Sequence, residues 1–484
     1  MGNFIKLNKK KLTISFLGAL ILIVGTYHIT KPMSDNLNYE SEVYEINSDQ
    51  VDFLYDLSYE DSEGNLVFEQ NIFDEILKVI DSAEKYILID MFLWSSNGDN
   101  VYRNLGQEIT DHLVAKKKIN PDIQVVVITD PLNTNYGSFE NSYFSQLESS
   151  DIDVVFSDLN SLPDSNILYS PFWRTFGQIW GEPKTGWIQT PFFEEKTSIR
   201  SVFKVLNFKA NHRKIMIADH DDSVYSFVIS ANPSGSGSTH SNIGFLIKDY
   251  LYKDIYTSEK TIAGIAGYDL SNLDLWNFDF VKENTDDQNT SVQFITEGKI
   301  KEKILEAIRE SQEKDSIKLA MFYFGDRDIL DELVEAFDRG VEIKIILDPS
   351  KTGFGRDKYG IPSRAVASNF MDRTDDKINI RYYKTRDEQF HTKLLLVKKE
   401  KELIIIGGSA NYTRRNLDSL NLEADVKITT SLDTVLAQEV ENYFDRIWKN
   451  DGGIFTAEYE DFDEPSWFRY IQYRFQELSG TGTF

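Results

Sequence analysis

The chain has 484 residues, 41% of them hydrophobic, enough for two sizeable globular units or one two-lobed domain. It contains no cysteine, which excludes disulfides, thiolate nucleophiles and cysteine-ligated metals. A formal net charge of −26 repels polyanions at long range and argues against nucleic acid, whose phosphates call for a basic surface.

Lys6, Lys9, Lys10 and Lys11 precede an apolar run from Leu12 to about Ile29. Eighteen residues at the helical rise span about 27 Å, close to the hydrocarbon thickness of a bilayer. The upstream lysines place the N-terminus in the cytoplasm and the body of the chain outside. No small-residue cleavage site follows the run, so residues 1–30 are expected to be an uncleaved single-pass anchor in the cell membrane. Residues 31–60 are polar and acidic and are expected to form a linker.

The sequence then repeats itself. A helical pattern from Asn71 to Ala83 leads to the apolar run YILIDMFLW (86–94); its counterpart runs from Ile300 to Glu313 into IKLAMFYF (317–324). A second helix-strand pair ends in Asp130-Pro131 in one half and in Asp348-Pro349 in the other. Acids at such strand ends commonly cap the following turn, and neither is assigned chemistry. Apolar β-branched runs of this length suit buried parallel strands. Two similar α/β lobes with mostly parallel sheets are therefore expected, packed as an internal pseudo-dimer in a monomer, over residues 61–285 and 292–450.

The stretch from Asp130 to His212 is nearly twice as long as that from Asp348 to His391, so the first lobe carries an insertion near residues 160–200. Its aromatic stretch, residues 171–193, is either a lid or membrane-contacting loop, or a satellite hydrophobic cluster. Residues 451–484 form a tail whose Trp467, Phe468, Tyr470, Ile471, Tyr473 and Phe475 suit an amphipathic helix.

The third repeated piece carries chemistry. NHRKIMIAD (211–219) matches FHTKLLLVK (390–398). Ser230 and Asn232 follow His212 at the same spacing at which Ser409 and Asn411 follow His391. Asn242 and Asn421 also stand equally far beyond their respective histidines. Residues i and i+2 of a strand share a face, so His212 projects with Lys214 and His391 with Lys393. Two imidazoles and two ammonium groups around one site suit a phosphate. One histidine attacks phosphorus and the other protonates the leaving alkoxide, then deprotonates water or an alcohol. The lysines and the amides of Asn232 and Asn411 stabilise the charge on the phosphoryl oxygens, with Ser230 and Ser409 as further donors. The lysines supply the positive charge, so neither metal nor cofactor is expected.

These two motifs, each followed by Ser-x-Asn at one distance, resemble the HxKxxxxD…GSxN signature of the phospholipase D superfamily, over about residues 65–450. The resemblance implies one site between two lobes, a covalent phosphohistidine, and the catalytic set His212, Lys214, Asn232, His391, Lys393 and Asn411. Family habit makes His212 the nucleophile. Asp219 fills the acidic position of the first motif, but Lys398 stands at that place in the second. The acid plays a supporting part, so activity is expected to survive. Glu423, two positions beyond Asn421, is expected to orient the His391 imidazole, with Gly244, two positions beyond Asn242, as its counterpart. The expected substrate is a membrane phospholipid, with hydrolysis and phosphatidyl transfer both open. A nuclease of the same superfamily and a catalytically degenerate surface protein are the alternatives. Cardiolipin synthases of the superfamily usually carry two N-terminal membrane segments, whereas this chain has one, which favours a hydrolase or a less specialised transferase.

Overall fold

A computed structural model describes residues 2–34, 36–95, 102–179, 186–190, 193–248, 250–273, 288–350, 352–353, 356–357, 359–462 and 467–484. The expected connection at 282–291 therefore lies largely outside the described residues, as do parts of the aromatic stretch.

Two large sheets carry the body. The first has eight strands in the order Leu66–Glu69, Val51–Glu60, Asn242–Lys248, Ser223–Ile229, Lys214–His220, Tyr86–Met91, Gln124–Thr129 and Asp153–Phe156. The second repeats this order with Tyr44–Ile46, Thr290–Thr296, Ala424–Ser431, Glu402–Gly408, Lys393–Lys398, Ser316–Met321, Glu342–Leu347 and Asn379–Tyr383, and adds Thr456–Glu458 at its edge. The α/β class and the paired lobes agree with the sequence reading. The sheets, however, are mixed rather than mostly parallel. Among the described residues, only Tyr86–Met91, Gln124–Thr129 and Asp153–Phe156, and their counterparts in the second lobe, run parallel. Helical crossovers join those strands, whereas the motif strands are joined by hairpins, which force antiparallel pairing.

Burial follows the period of two. Ile215 and Ile217 face a core lying between the sheets, while Met216 and Ala218 face an outer core covered by helices Ile72–Ser82 and Leu105–Ile119. Leu394 and Leu396 enter the shared core from the other side, and Leu395 and Val397 face the second outer core. The two sheets thus meet face to face with helices outside, so the inward faces of both motif strands lie along one seam. Gly407 makes the close approach possible: a Cβ there would stand 2.9 Å from Ile243 Cδ1 and 2.9 Å from the Lys393 carbonyl.

Residues 31–60 are not the expected linker. Tyr44–Ile46 pairs with Thr290–Thr296 in the second sheet, and Val51–Glu60 pairs with Asn242–Lys248 in the first, so this segment stitches the lobes together. The alternation of Val51, Phe53, Tyr55, Leu57 and Tyr59 is a strand pattern hidden among acidic neighbours. The helix Gly2–Thr30 contains Lys9–Thr30, a stretch of 22 residues long and apolar enough to cross a membrane.

Candidate active site at the lobe interface

His212 and His391 stand just before the strands Lys214–His220 and Lys393–Lys398. The chain leading into each is fixed by the repeated acid. Asp130 accepts from the Leu132 N–H at 2.6 Å, capping its turn, and its second oxygen accepts from the Asn211 N–H at 2.7 Å. Asp348 does the same with Ser350 at 2.7 Å and Phe390 at 2.9 Å. The caps read from sequence are present, and each acid also clamps the residue before a histidine. The repeated Asp-Pro pairs were the signal for this.

Each histidine is held by the opposite lobe. His212 Nδ1 lies 2.9 Å from Glu423 Oε2, and His391 Nδ1 lies 3.1 Å from Asn242 Oδ1. Backbone bridges join Asn211 to Leu422 and Ser241 to Phe390 across the seam. Glu423 therefore orients His212, not His391 as the spacing suggested, and its counterpart is Asn242 rather than Gly244. The loop from Ser409 to Glu423 is two residues longer than that from Ser230 to Asn242, and this shifts the alignment. The same shift removes the equivalence of Asn242 with Asn421 and sets His240 opposite Asn421. Asn421 accepts from the Ala210 N–H at 3.0 Å, and His240 Nδ1 from the Gln389 N–H at 3.1 Å.

Ser230 and Ser409 do not point at the ligand space. Ser409 Oγ donates to Glu423 at 2.6 Å and accepts from the Ala424 N–H at 2.9 Å. Ser230 Oγ donates to Asn242 at 3.2 Å and accepts from the Ile243 N–H at 2.9 Å. Both hydroxyls are spent positioning the groups that position the histidines, because buried hydroxyls must be paired. The Asn416 amide donates to the other Glu423 oxygen.

The lysines fold back over the same site. Lys214 Nζ donates to the His212 carbonyl at 2.6 Å and Lys393 Nζ to the His391 carbonyl at 2.7 Å. Each ammonium lies about 5 Å above a phenylalanine ring, Phe92 at 5.2 Å and Phe322 at 5.1 Å. These rings also flank the imidazoles, at 4.8 and 5.0 Å between centroids. Sequence reasoning passed over Phe92 and Phe322, although each follows a Met at the end of the same repeated strand. The Asn232 carboxamide oxygen accepts from the Leu93 N–H at 3.3 Å, while that of Asn411 is buried with no hydrogen-bond partner among the described residues.

Burial and like charge shift the ionisable groups of the site together. Burial, Lys214 and Lys393 hold His212 well below the ordinary histidine range. Burial, Lys393, Lys214, His240 and His212 do the same to His391. Each imidazole thus feels both ammonium groups. Lys214 falls to about 7 through burial, against the pull of Glu423 and Asp90. Glu423 is pushed up to about 8 by burial. An anion placed among these groups relieves the repulsion and favours protonated lysines.

Arg213, between His212 and Lys214, points the other way into the core. It pairs with Glu259 and Glu297 at 2.7 Å each, and Glu297 accepts from the Glu423 N–H at 3.0 Å. This buried chain ties the first motif to the residue that orients its histidine.

Residues 304–448 match the family model described as "Cardiolipin synthase, PLD-like domain". The chain's fold is also that of phosphatidylserine synthase from Haemophilus influenzae Rd KW20, at 15% identity and a TM-score of 0.57, covering 92% of this chain and 97% of that one. The second lobe thus matches a phospholipase D-like domain. Among other solved structures, a polyphosphate kinase from Porphyromonas gingivalis matches at 12% identity and a TM-score of 0.46, covering 84% of this chain and 48% of that one. Nuc, a phospholipase D family member from Salmonella typhimurium, matches at 22% identity and a TM-score of 0.27, covering 34% of this chain and 97% of that one. No curated protein matches the sequence.

In this chain the two acid positions do different things. Asp219 accepts from the backbone N–H groups of Glu84, Lys85 and Tyr86 at 2.8–3.1 Å, at the end of its strand away from His212. Lys398 pairs instead with Glu441 at 2.7 Å on helix Val435–Lys449. The exchange of acid for lysine alters a turn anchor and leaves the groups around His391 untouched. Arg414 and Arg415 donate to backbone carbonyls of the C-terminal segment.

Proposed function

We propose that this chain is a membrane-anchored phospholipase D-type enzyme that transfers a phosphatidyl group from a phospholipid to an alcohol or water. The observation that carries the reading is the cross-holding of two His-Lys pairs, each imidazole fixed by the other lobe and sensing both ammonium groups. The match of the second lobe to a family model described as a cardiolipin synthase, phospholipase D-like domain supports a phospholipid substrate. The long apolar N-terminal helix supports placement beside a membrane, with the N-terminus cytoplasmic.

The catalytic set is His212, Lys214, Asn232, His391, Lys393 and Asn411. With Nδ1–H donated to Glu423, His212 presents Nε2 as the nucleophile, and the carboxylate stabilises the imidazolium that bonding to phosphorus creates. The P–O bond to the head group breaks as His391 gives its proton to the leaving alkoxide. His391 then takes a proton from the incoming alcohol or water, whose oxygen displaces His212. Lys214, Lys393 and the two amides surround the phosphoryl oxygens as negative charge builds. Asn242, a neutral partner, leaves His391 free to cycle between its two protonation states.

The test incubates the purified full chain with labelled phosphatidylglycerol vesicles, with and without glycerol, and separately with plasmid DNA. Lipid products are read by mass spectrometry, and the quenched protein is mapped for a phosphatidyl adduct on His212. Lipid turnover with an adduct lost in His212→Ala is expected. Cleavage of DNA without lipid turnover, or an adduct elsewhere, overturns the reading.

A further inference from the structure

The N-terminal helix does not leave the body freely. Its last turns pack on the first-lobe insertion: a Cβ at Gly25 would stand 2.6 Å from the Pro171 ring, and the Asp164 N–H donates to the His28 carbonyl at 2.8 Å. Lys31 donates to the Asn160 carbonyl. Gly25 lies five residues inside the helix end at Thr30, a rise of about 7–8 Å. Any bilayer spanned by Lys9–Thr30 therefore brings Pro171 to the depth of the headgroup–acyl boundary, about 5–10 Å.

The insertion is dressed for that depth. Phe172, Phe176 and Ile179, which follow Pro171 directly, are exposed, Ile179 at 72%. The C-terminal helix Trp467–Ser479 is joined to the insertion. It docks on the second lobe through Tyr473, whose hydroxyl donates to the Gly325 carbonyl, and turns Trp467, Phe468 and Phe475 outward, at 77, 66 and 57% exposure. Its end is stapled to the insertion, since the Ile167 N–H donates to the Ser479 carbonyl at 3.1 Å. Arg415, four residues after Asn411, ties both pieces to the motif loop. It donates to Ser165 Oγ at 2.5 Å, to the Phe208 carbonyl at 2.7 Å and to the carbonyls of Gly480 and Gly482 at 3.0 and 2.6 Å.

From these links we infer that the insertion segment from Pro171 to Ile179 and the outer face of the C-terminal helix form a bilayer-docking surface, seating the body on the leaflet in which the N-terminal helix ends. Large contiguous apolar surface is unfavourable in water and marks an interaction site. The covalent and packed link to a membrane-spanning helix selects lipid as the occupant. The docked pose holds the two lobes beside the lipid surface through Arg415. The inference rests on the membrane reading of the N-terminal helix and needs no turnover.

The chain has no cysteine, so single labels are clean. Spin labels would be placed by Phe172→Cys, Phe176→Cys, Phe468→Cys and Phe475→Cys in the full chain. Ile119→Cys and Val435→Cys, exposed at 81 and 68%, serve as references on the body, and Leu17→Cys on the helix. The chain is reconstituted in phosphatidylethanolamine–phosphatidylglycerol vesicles, and accessibility to oxygen is compared with accessibility to a water-soluble nickel chelate. The four test labels are expected to favour oxygen, as the label at 17 does, while those at 119 and 435 favour nickel. Test labels as nickel-accessible as 119 and 435, or screened from both reagents as in a protein contact, overturn the inference, and so does a water-exposed label at 17. Labels in lipid on an inactive enzyme leave it standing and sink the catalytic reading instead.

Discussion

Glu423→Gln isolates the charge on the group that orients His212. The side chain keeps its size, Ser409 still donates to its oxygen, and Asn416 can turn its amide because Thr413 Oγ, 2.6 Å away, accepts as well as donates. What is lost is the negative charge 2.9 Å from Nδ1. A hydrogen bond to a charged group contributes about 1.5–3 kcal/mol and a neutral one about 0.5–1.5. The exchange therefore removes about 1.5 kcal/mol from states in which His212 is an imidazolium, or about tenfold in the rate of adduct formation. The assay is single-turnover adduct formation on saturating vesicles, quenched and read by intact-protein mass spectrometry. At pH 8.5 the wild-type carboxyl, pushed up to about 8 by burial, is mostly ionised and the tenfold loss is expected. At pH 6.5 it carries a proton, donates much as an amide does, and the loss shrinks. A variant within twofold of wild type at pH 8.5, or a deficit that grows on acidification, would refute the assignment of Glu423 as the charged partner of His212.

Sulfate, which does not titrate in this range, should bind the site more weakly as pH rises from 6 to 9. Lys214, lowered to about 7, loses its positive charge and Glu423, raised to about 8, gains a negative one, so calorimetry should record proton uptake on binding and about a tenfold loss per pH unit where one proton is taken up; pH-independent affinity would contradict this. Gly407→Ala should lower stability by about 1–3 kcal/mol in denaturant titrations. The new methyl meets both Ile243 and the Lys393 carbonyl at 2.9 Å, and the backbone oxygen cannot yield. Arg213→Met should cost about 3–5 kcal/mol, because it strands buried Glu259 and Glu297 without their cation. Glu297, already raised to about 7 by burial, can take up a proton in the variant, so the loss should be smaller at pH 5.5 than at pH 8; equal losses at the two values would argue against stranded charge.

The sequence alone carried the duplication, because a repeated His-x-Lys with Ser-x-Asn at one fixed distance survives in any register. It also carried the α/β class and the pairing of each helix with its strand, since the period of burial is written in Ile72–Met91 and again in Ile300–Met321. Side-chain types pointed to a ligand class, since two imidazoles beside two ammonium groups suit a phosphate. What the sequence could not carry was partnership across the seam. The partner of His212 lies 211 residues away, and counting along the chain gave Glu423 to the wrong histidine because one loop is two residues longer. Composition likewise disguised residues 31–60, where acidic side chains on the outer face of a strand masked the apolar inner one. Local spacing records which face a residue shares with its neighbours, and packing alone decides which face it meets.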